Sequence, residues 1–158
     1  AGFVFRAYSG YPINETVGTD FNGGPLHVSS LPVTGTYTIM VLPGPNTGNA
    51  PLTLSQDLNV GTIQINGASV NVTTARQGQR ARLTFSGTTG QRLTIGTVNT
   101  TRQATYAVLN PDGSQLVSQV LSSGSLTVPP LPTTGTYTMV VDPSQANTGS
   151  LTLNISNP

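Results

Sequence analysis

The chain has 158 residues, no lysine and no cysteine, a net charge of +1 and only 7% charged residues, against about 25% in ordinary soluble domains. Disulfides and a thiol nucleophile are therefore excluded, and so balanced a charge lacks the electrostatic footprint of a nucleic-acid binder. The length suits one or two domains with a real core, and no apolar run approaches the roughly 20 residues that a membrane-spanning helix needs.

Apolar and polar residues alternate with period two from end to end, and no window carries a 3.6-residue apolar stripe, so the chain is expected to be nearly all β. A first strand is expected near Phe3 to Tyr8. Its apolar, uncharged start, Phe3, Val4 and Phe5, admits two readings: an ordinary first strand paired within its own chain, or a terminal strand donated to a neighbouring copy. Leu26 with Val28, then Tyr37 to Val41, then Leu52 to Leu54 complete the strands expected in the first third. Next comes the sequence Thr62 to Val72, in which Asn66-Gly67 predicts a type I′ hairpin that sets Ile63 against Val70 and Ile65 against Ala68. Ile63, Ile65, Ala68, Val70 and Val72 would then share one buried face.

Arg80 to Ser86 reads as a strand with Ala81, Leu83 and Phe85 inward, and Leu93, Ile95 and Val98 continue the core. Tyr106 to Leu109 leads into Asn110-Pro111-Asp112-Gly113. In that turn Pro fixes φ, Asp caps the backbone and Gly takes the left-handed position. Leu116, Val117 and Val120 follow, then Leu126 with Val128. A long strand from Gly135 to Val141 puts Tyr137, Met139 and Val141 on one side, and Ser150 to Ile155 is last. Strands at this spacing, punctuated by Gly and Pro, predict a sandwich.

An internal repeat organises these elements. GPLHVSSLPVTGTYTIMVLP, from Gly24 to Pro43, recurs without a gap as GSLTVPPLPTTGTYTMVVDP, from Gly124 to Pro143, and the match resumes at NTG and LTL. Only the second copy has a further segment before it, Gly61 to Thr105, that fits the same module. The fold class expected is an all-β, antiparallel, jelly-roll-like β-sandwich. Residues 1–56 form the trailing half of a repeat and residues 57–158 a complete one. ARLTFSGTTGQRLTIG, NPDG, and LPTTGTYTMVVDP followed by NTGSLTLNI resemble the β-sandwich repeats of large secreted bacterial proteins. Their pattern is similar to the bacterial pre-peptidase C-terminal domain. The resemblance implies structural roles for the G-T-Y-T and T-G-S-L-T-L strands and an appendage in place of a catalyst. The chain has Ala104-Thr105-Tyr106 where that family carries an acidic residue before its aromatic, which weighs against the family's occasional calcium site.

Charge is unevenly placed. Residues 57–103 carry Arg76, Arg80, Arg82, Arg92 and Arg102 against Asp57 alone, whereas residues 1–56 and 104–158 are net acidic. Arg80, Arg82 and Arg92 are thus interface candidates for an acidic half-module, the plainer reading being a solvated basic face. LPVTG at Leu31 and LPTTG at Leu131 match a sortase sorting pattern, but each runs straight into a strand in place of an apolar tail, so turns are the better account. Asn14, Asn71, Asn99 and Asn154 begin Asn-x-Ser/Thr sequons, candidate glycosylation sites in a Thr- and Asn-rich background. His27 is the sole histidine and its repeat counterpart is Thr127, which gives a hydrolytic triad no support. Glu15, Asp20, Asp57, Asp112 and Asp142 show no catalytic pairing, and turn aspartates more often serve the backbone than a metal. No cofactor is implied. Among the tyrosines, Tyr8 and Tyr11 remain as a carbohydrate-binding pair once Tyr37, Tyr106 and Tyr137 are assigned to the core.

These features point to a non-enzymatic extracellular or cell-surface structural protein. It would assemble with copies of itself into a fibre or surface layer through strand or half-module complementation. The alternative is an accessory spacer, or weak carbohydrate-binding module, of a larger secreted protein. Neither reading involves nucleic acid or membrane insertion.

Overall fold

A computed structural model describes residues 3–9, 11–12, 17–19, 27–28, 31, 34–42, 51–98, 103–144 and 147–158. The chain forms two compact units, residues 1–53 and residues 54–158. In unit 1 the strands are β1 (Phe3–Ser9), β2 (Tyr11–Pro12), β3 (Val17–Thr19) and β4 (Thr38–Leu42). β1 is central: β2 and β3 pair with one of its edges and β4 with the other, all antiparallel. Leu26 lies outside the described residues. The strand expected over Leu52 to Leu54 is not formed, and both leucines are exposed.

Unit 2 holds β5 (Leu58–Thr62), β6 (Val70–Thr74), β7 (Ala81–Gly87), β8 (Leu93–Val98), β9 (Ala104–Leu109), β10 (Gln115–Leu121), β11 (Gly124–Val128), β12 (Gly135–Pro143) and β13 (Gly149–Ser156). They build a β-sandwich of one sheet ordered β10-β9-β12-β7-β5 and another ordered β11-β8-β13-β6. Every pair is antiparallel except β5 with β7, which is parallel. Strict alternation along β7, β8, β9, β12 and β13 turns one face of each sheet inward. The two inner faces meet in a single core that includes Leu83, Phe85, Ile95, Tyr106, Met139 and Leu153. Phe85 and Tyr137 stack within the first sheet at 5.5 Å between ring centroids.

The structure corrects the hairpin expected at Asn66-Gly67. A turn does form, with the Gly67 amide donating to the Gln64 carbonyl at 3.1 Å and Asn66 at a φ of 59°. The strand before it, β5, and the strand after it, β6, belong to different sheets, and the crossing lies ahead of the turn. β5 pairs with β7, β6 pairs with β13, and Ile65 bridges Ile155. The Asn66 amide donates to the Ile155 carbonyl, and its side-chain oxygen accepts from the Asn157 amide. The chain has thus crossed from one sheet to the other by Ile65, the Asn-Gly turn sends it on into β6, and Gly is required because a Cβ at Gly67 would sit 2.6 Å from the Gln64 Cβ. Ile63 and Val72 are buried as expected, Ile65 and Val70 pack partly against the core, and Ala68 is exposed.

A bulge explains how Leu58 and Ile63, of opposite parity, both face inward. The β5 register shifts between Asn59 and Gly61, where Gly61 adopts a φ of 99° and its amide donates to the Asn59 side-chain oxygen. Val98 is also corrected: it is exposed, and Thr97 takes the inward position, its hydroxyl 3.1 Å from that of Tyr106.

Candidate interaction site

The strands of unit 1 repeat the register of part of unit 2. Val41 lies opposite Phe5 as Val141 lies opposite Tyr106, and Ile39 lies opposite Ala7 as Met139 lies opposite Val108. On the far side of β1, Val17 faces Phe5 as Gln119 faces Tyr106. β1 is therefore the counterpart of β9, β4 of β12, and β3 of part of β10. The Phe3, Val4 and Phe5 backbone pairs with β3 along one edge, and Val4 and Phe5 pair with β4 along the other. That is the ordinary first-strand arrangement. A donated strand would have to leave both ladders.

The likeness stops at the outer edge of β4. In unit 2, β12 is bounded on that side by β7, with Tyr137 opposite Phe85 and Met139 opposite Leu83. Among the described residues, β4 pairs with β1 alone. Side-chain exposure follows the same difference. Leu131 and Met139 are 1% and 0% exposed, whereas their counterparts Leu31 and Ile39 are 57% and 47% exposed. Leu151 is 9% exposed and its counterpart Leu52 is 54%. Burying such a side chain completely contributes about 1.5–3 kcal/mol, and these three are about half exposed. The repeat is what makes these residues recognisable. Exposed leucines taken singly are unremarkable.

Two of the expected interface arginines are occupied inside unit 2. The parallel register of β5 and β7 places Asn59 opposite Arg82, which brings Asp57 alongside Arg80. Arg80 Nε and Nη2 donate to the two carboxylate oxygens of Asp57, each at 3.2 Å, and Arg82 Nε donates to Oδ2 at 2.6 Å. Burial alone would raise the Asp57 carboxyl. The hydrogen bonds from Arg82 and Arg80, with their charges, outweigh it and hold the group below its ordinary value. Arg92 is exposed at the residue before β8.

LPTTG is a built turn. The Leu131 amide and carbonyl bond to Gln91 and Gly90, the Thr134 hydroxyl accepts from the Thr89 amide, and the Tyr137 hydroxyl donates to the Thr133 carbonyl at 2.6 Å. Asp112 likewise serves its own turn, accepting from the Ser114 amide and hydroxyl, which lower its carboxyl. His27 is half-buried. Asn71 is exposed on β6, where its side chain accepts from Thr152, and Asn154 is half-buried on β13 against Gly96. Asn14 and Asn99 lie outside the described residues. Among the described residues no three metal-ligating side chains cluster. A cavity of about 20 Å³ between Val72, Thr74, Ala104, Val141 and Leu151 has room for roughly one water molecule. No helix among the described residues is long and apolar enough to cross a membrane, which says nothing of strands.

No family model matches this sequence, and no curated protein matches it closely. Several solved structures are similar. The pre-peptidase C-terminal domain of a Bacillus anthracis collagenase is 12% identical with a TM-score of 0.48, the match covering 65% of this chain and 99% of that one. It bears the family name that the sequence pattern resembles. PliG of Aeromonas hydrophila, a periplasmic inhibitor of g-type lysozyme, is 17% identical with a TM-score of 0.45, the match covering 63% of this chain and 99% of that one. PliG of Salmonella Typhimurium is 20% identical with a TM-score of 0.41, over 62% of this chain and 98% of that one.

Proposed function

We propose that the chain is a non-catalytic, repeat-built section of a larger extracellular protein. It would serve as an accessory spacer whose unit 1 is the trailing half of a repeat and whose unit 2 is a complete one. The observation that carries this reading is the contrast within the repeat: the same positions are buried where a leading half is present and exposed where β4, among the described residues, pairs with β1 alone. The unit 2 core supports it further. Apart from the hydroxyls of Tyr106 and Tyr137, Thr74 and Thr97 are its buried polar side chains among the described residues, and Asp57 pairs with both Arg80 and Arg82.

Homopolymerisation through half-module complementation finds less support. Each copy holds two trailing halves, and its one leading half, β5 to β8, is already engaged within unit 2. Copies of the chain alone would always leave one trailing half uncovered, whatever they exchanged. Glycan binding is also less favoured, since Tyr106 and Tyr137 are buried and Tyr37 is half-buried, which leaves only Tyr8 and Tyr11. Sedimentation equilibrium of the full chain over a hundredfold concentration range tests the choice. A finite mass with no filaments by electron microscopy is expected. Open-ended growth would overturn the accessory reading in favour of a fibre subunit.

A further inference from the structure

We infer that the outer edge of β4 is a strand-docking site, and that its occupant is a β7-type strand from the leading half of a neighbouring repeat. This rests on the accessory-module reading and deepens it by naming the partner strand and its register. The register comes from unit 2, where β7 runs antiparallel to β12 and Gly87, Phe85, Leu83 and Ala81 lie opposite Gly135, Tyr137, Met139 and Val141. Gly35, Tyr37, Ile39 and Val41 occupy the matching positions of the first repeat copy. An occupant with Gly, Phe, Leu and Ala in that order would meet the same steric demands. Its phenylalanine would meet Tyr37 as Phe85 meets Tyr137, at a spacing typical of stacked rings. Ile39, about half exposed, would gain the cross-strand neighbour that Leu83 gives Met139.

Natural sheet edges are usually guarded by charge, proline or a bulge. β4 reads Thr-Ile-Met-Val-Leu and has none of these. An edge of this kind is either a liability or a binding site, and the repeat supplies the matching strand. The occupant is not the β7 of another copy, because that strand is held between β12 and β5 in its own unit. It is a separate strand with the same alternation, whose main-chain groups complete the β4 ladder.

The test uses the full chain and a synthetic peptide of residues 79–88, QRARLTFSGT, with amide hydrogen exchange read residue by residue. Saturating peptide is expected to slow exchange in β4 at least tenfold and to leave β12 unchanged. A peptide carrying Leu83→Pro, which removes a donor from the edge that faces β12 in unit 2 and clashes with the partner strand, is expected to leave β4 exchange as it was. The inference is overturned if β4 does not respond, if the proline peptide protects it equally, or if protection appears at β12 through exchange with its own β7. Protection of β4 that grows with protein concentration in the absence of peptide would make a second β4 the occupant and would also overturn it. A chain of finite mass that ignores the peptide loses this docking site and keeps its accessory role. A chain that polymerises loses the role itself.

Discussion

Asp57 shows how a single carboxylate can fix the pairing of two strands. It sits where β5 begins and accepts from both Arg80 and Arg82, so a slip of the parallel β5 and β7 pair would break three hydrogen bonds at once. Asp57→Asn leaves two half-buried guanidiniums without their counter-charge and should cost about 1–3 kcal/mol in urea unfolding. Because the folded carboxyl is held below 3.8, its contribution is present above that pH and is lost as the pH falls through the depressed value. The gap in melting temperature between wild type and Asp57→Asn should therefore narrow as the pH drops below about 3.8. Tyr106 behaves oppositely. Burial raises its phenol above 10.0, partly opposed by the Thr97 hydroxyl, so its contribution is present below pH 10 and fades as the pH climbs through the raised value. Tyr106→Phe strands the buried Thr97 hydroxyl and should cost about 1–3 kcal/mol at neutral pH, measured by thermal or urea unfolding.

At the scale of elements, β4 and β12 offer a matched comparison, since one sequence pattern is placed in two environments. Met139→Asp puts a charge into the closed core and is expected to abolish cooperative unfolding of unit 2, which would cost several kcal/mol. Ile39→Asp, at the equivalent and half-exposed position, should change stability by less than about 0.5 kcal/mol. Equal damage from the two changes, read by circular dichroism during melting, would show that Ile39 is covered. The strands themselves were largely legible because alternation reports directly which face of a sheet is buried, as in Ala81, Leu83 and Phe85. Connectivity was not. Asn66-Gly67 specifies a turn but not the sheet its arms join, and here the first arm has already left the sheet of β5 at Ile65, which bridges Ile155. The Gly61 bulge was equally hidden, because one extra residue reverses parity without any change in composition. Gly61→Ala, forced to a φ of 99°, should cost about 1–2 kcal/mol by the same unfolding assay.

For the whole molecule, the repeat gave the candidate site its outline, since only the comparison of Leu31 with Leu131 and of Ile39 with Met139 marks the exposed residues as unusual. What the sequence could not show was the fate of its arginines. Two of them serve Asp57 inside unit 2, a pairing set by the parallel register and invisible in a charge count. The account therefore rests on the two units having the same plan and different completeness. Amide hydrogen exchange of the unliganded full chain measures this directly, with β4 and β12 compared in one sample. Amides of β12, held between β9 and β7, are expected to exchange only with unfolding of unit 2. Those of β4 are expected to exchange at least about a hundredfold faster along its outer edge, which pairs with no strand among the described residues. Protection of β4 equal to that of β12 in the monomeric chain would mean that its edge is already filled, and would contradict the account.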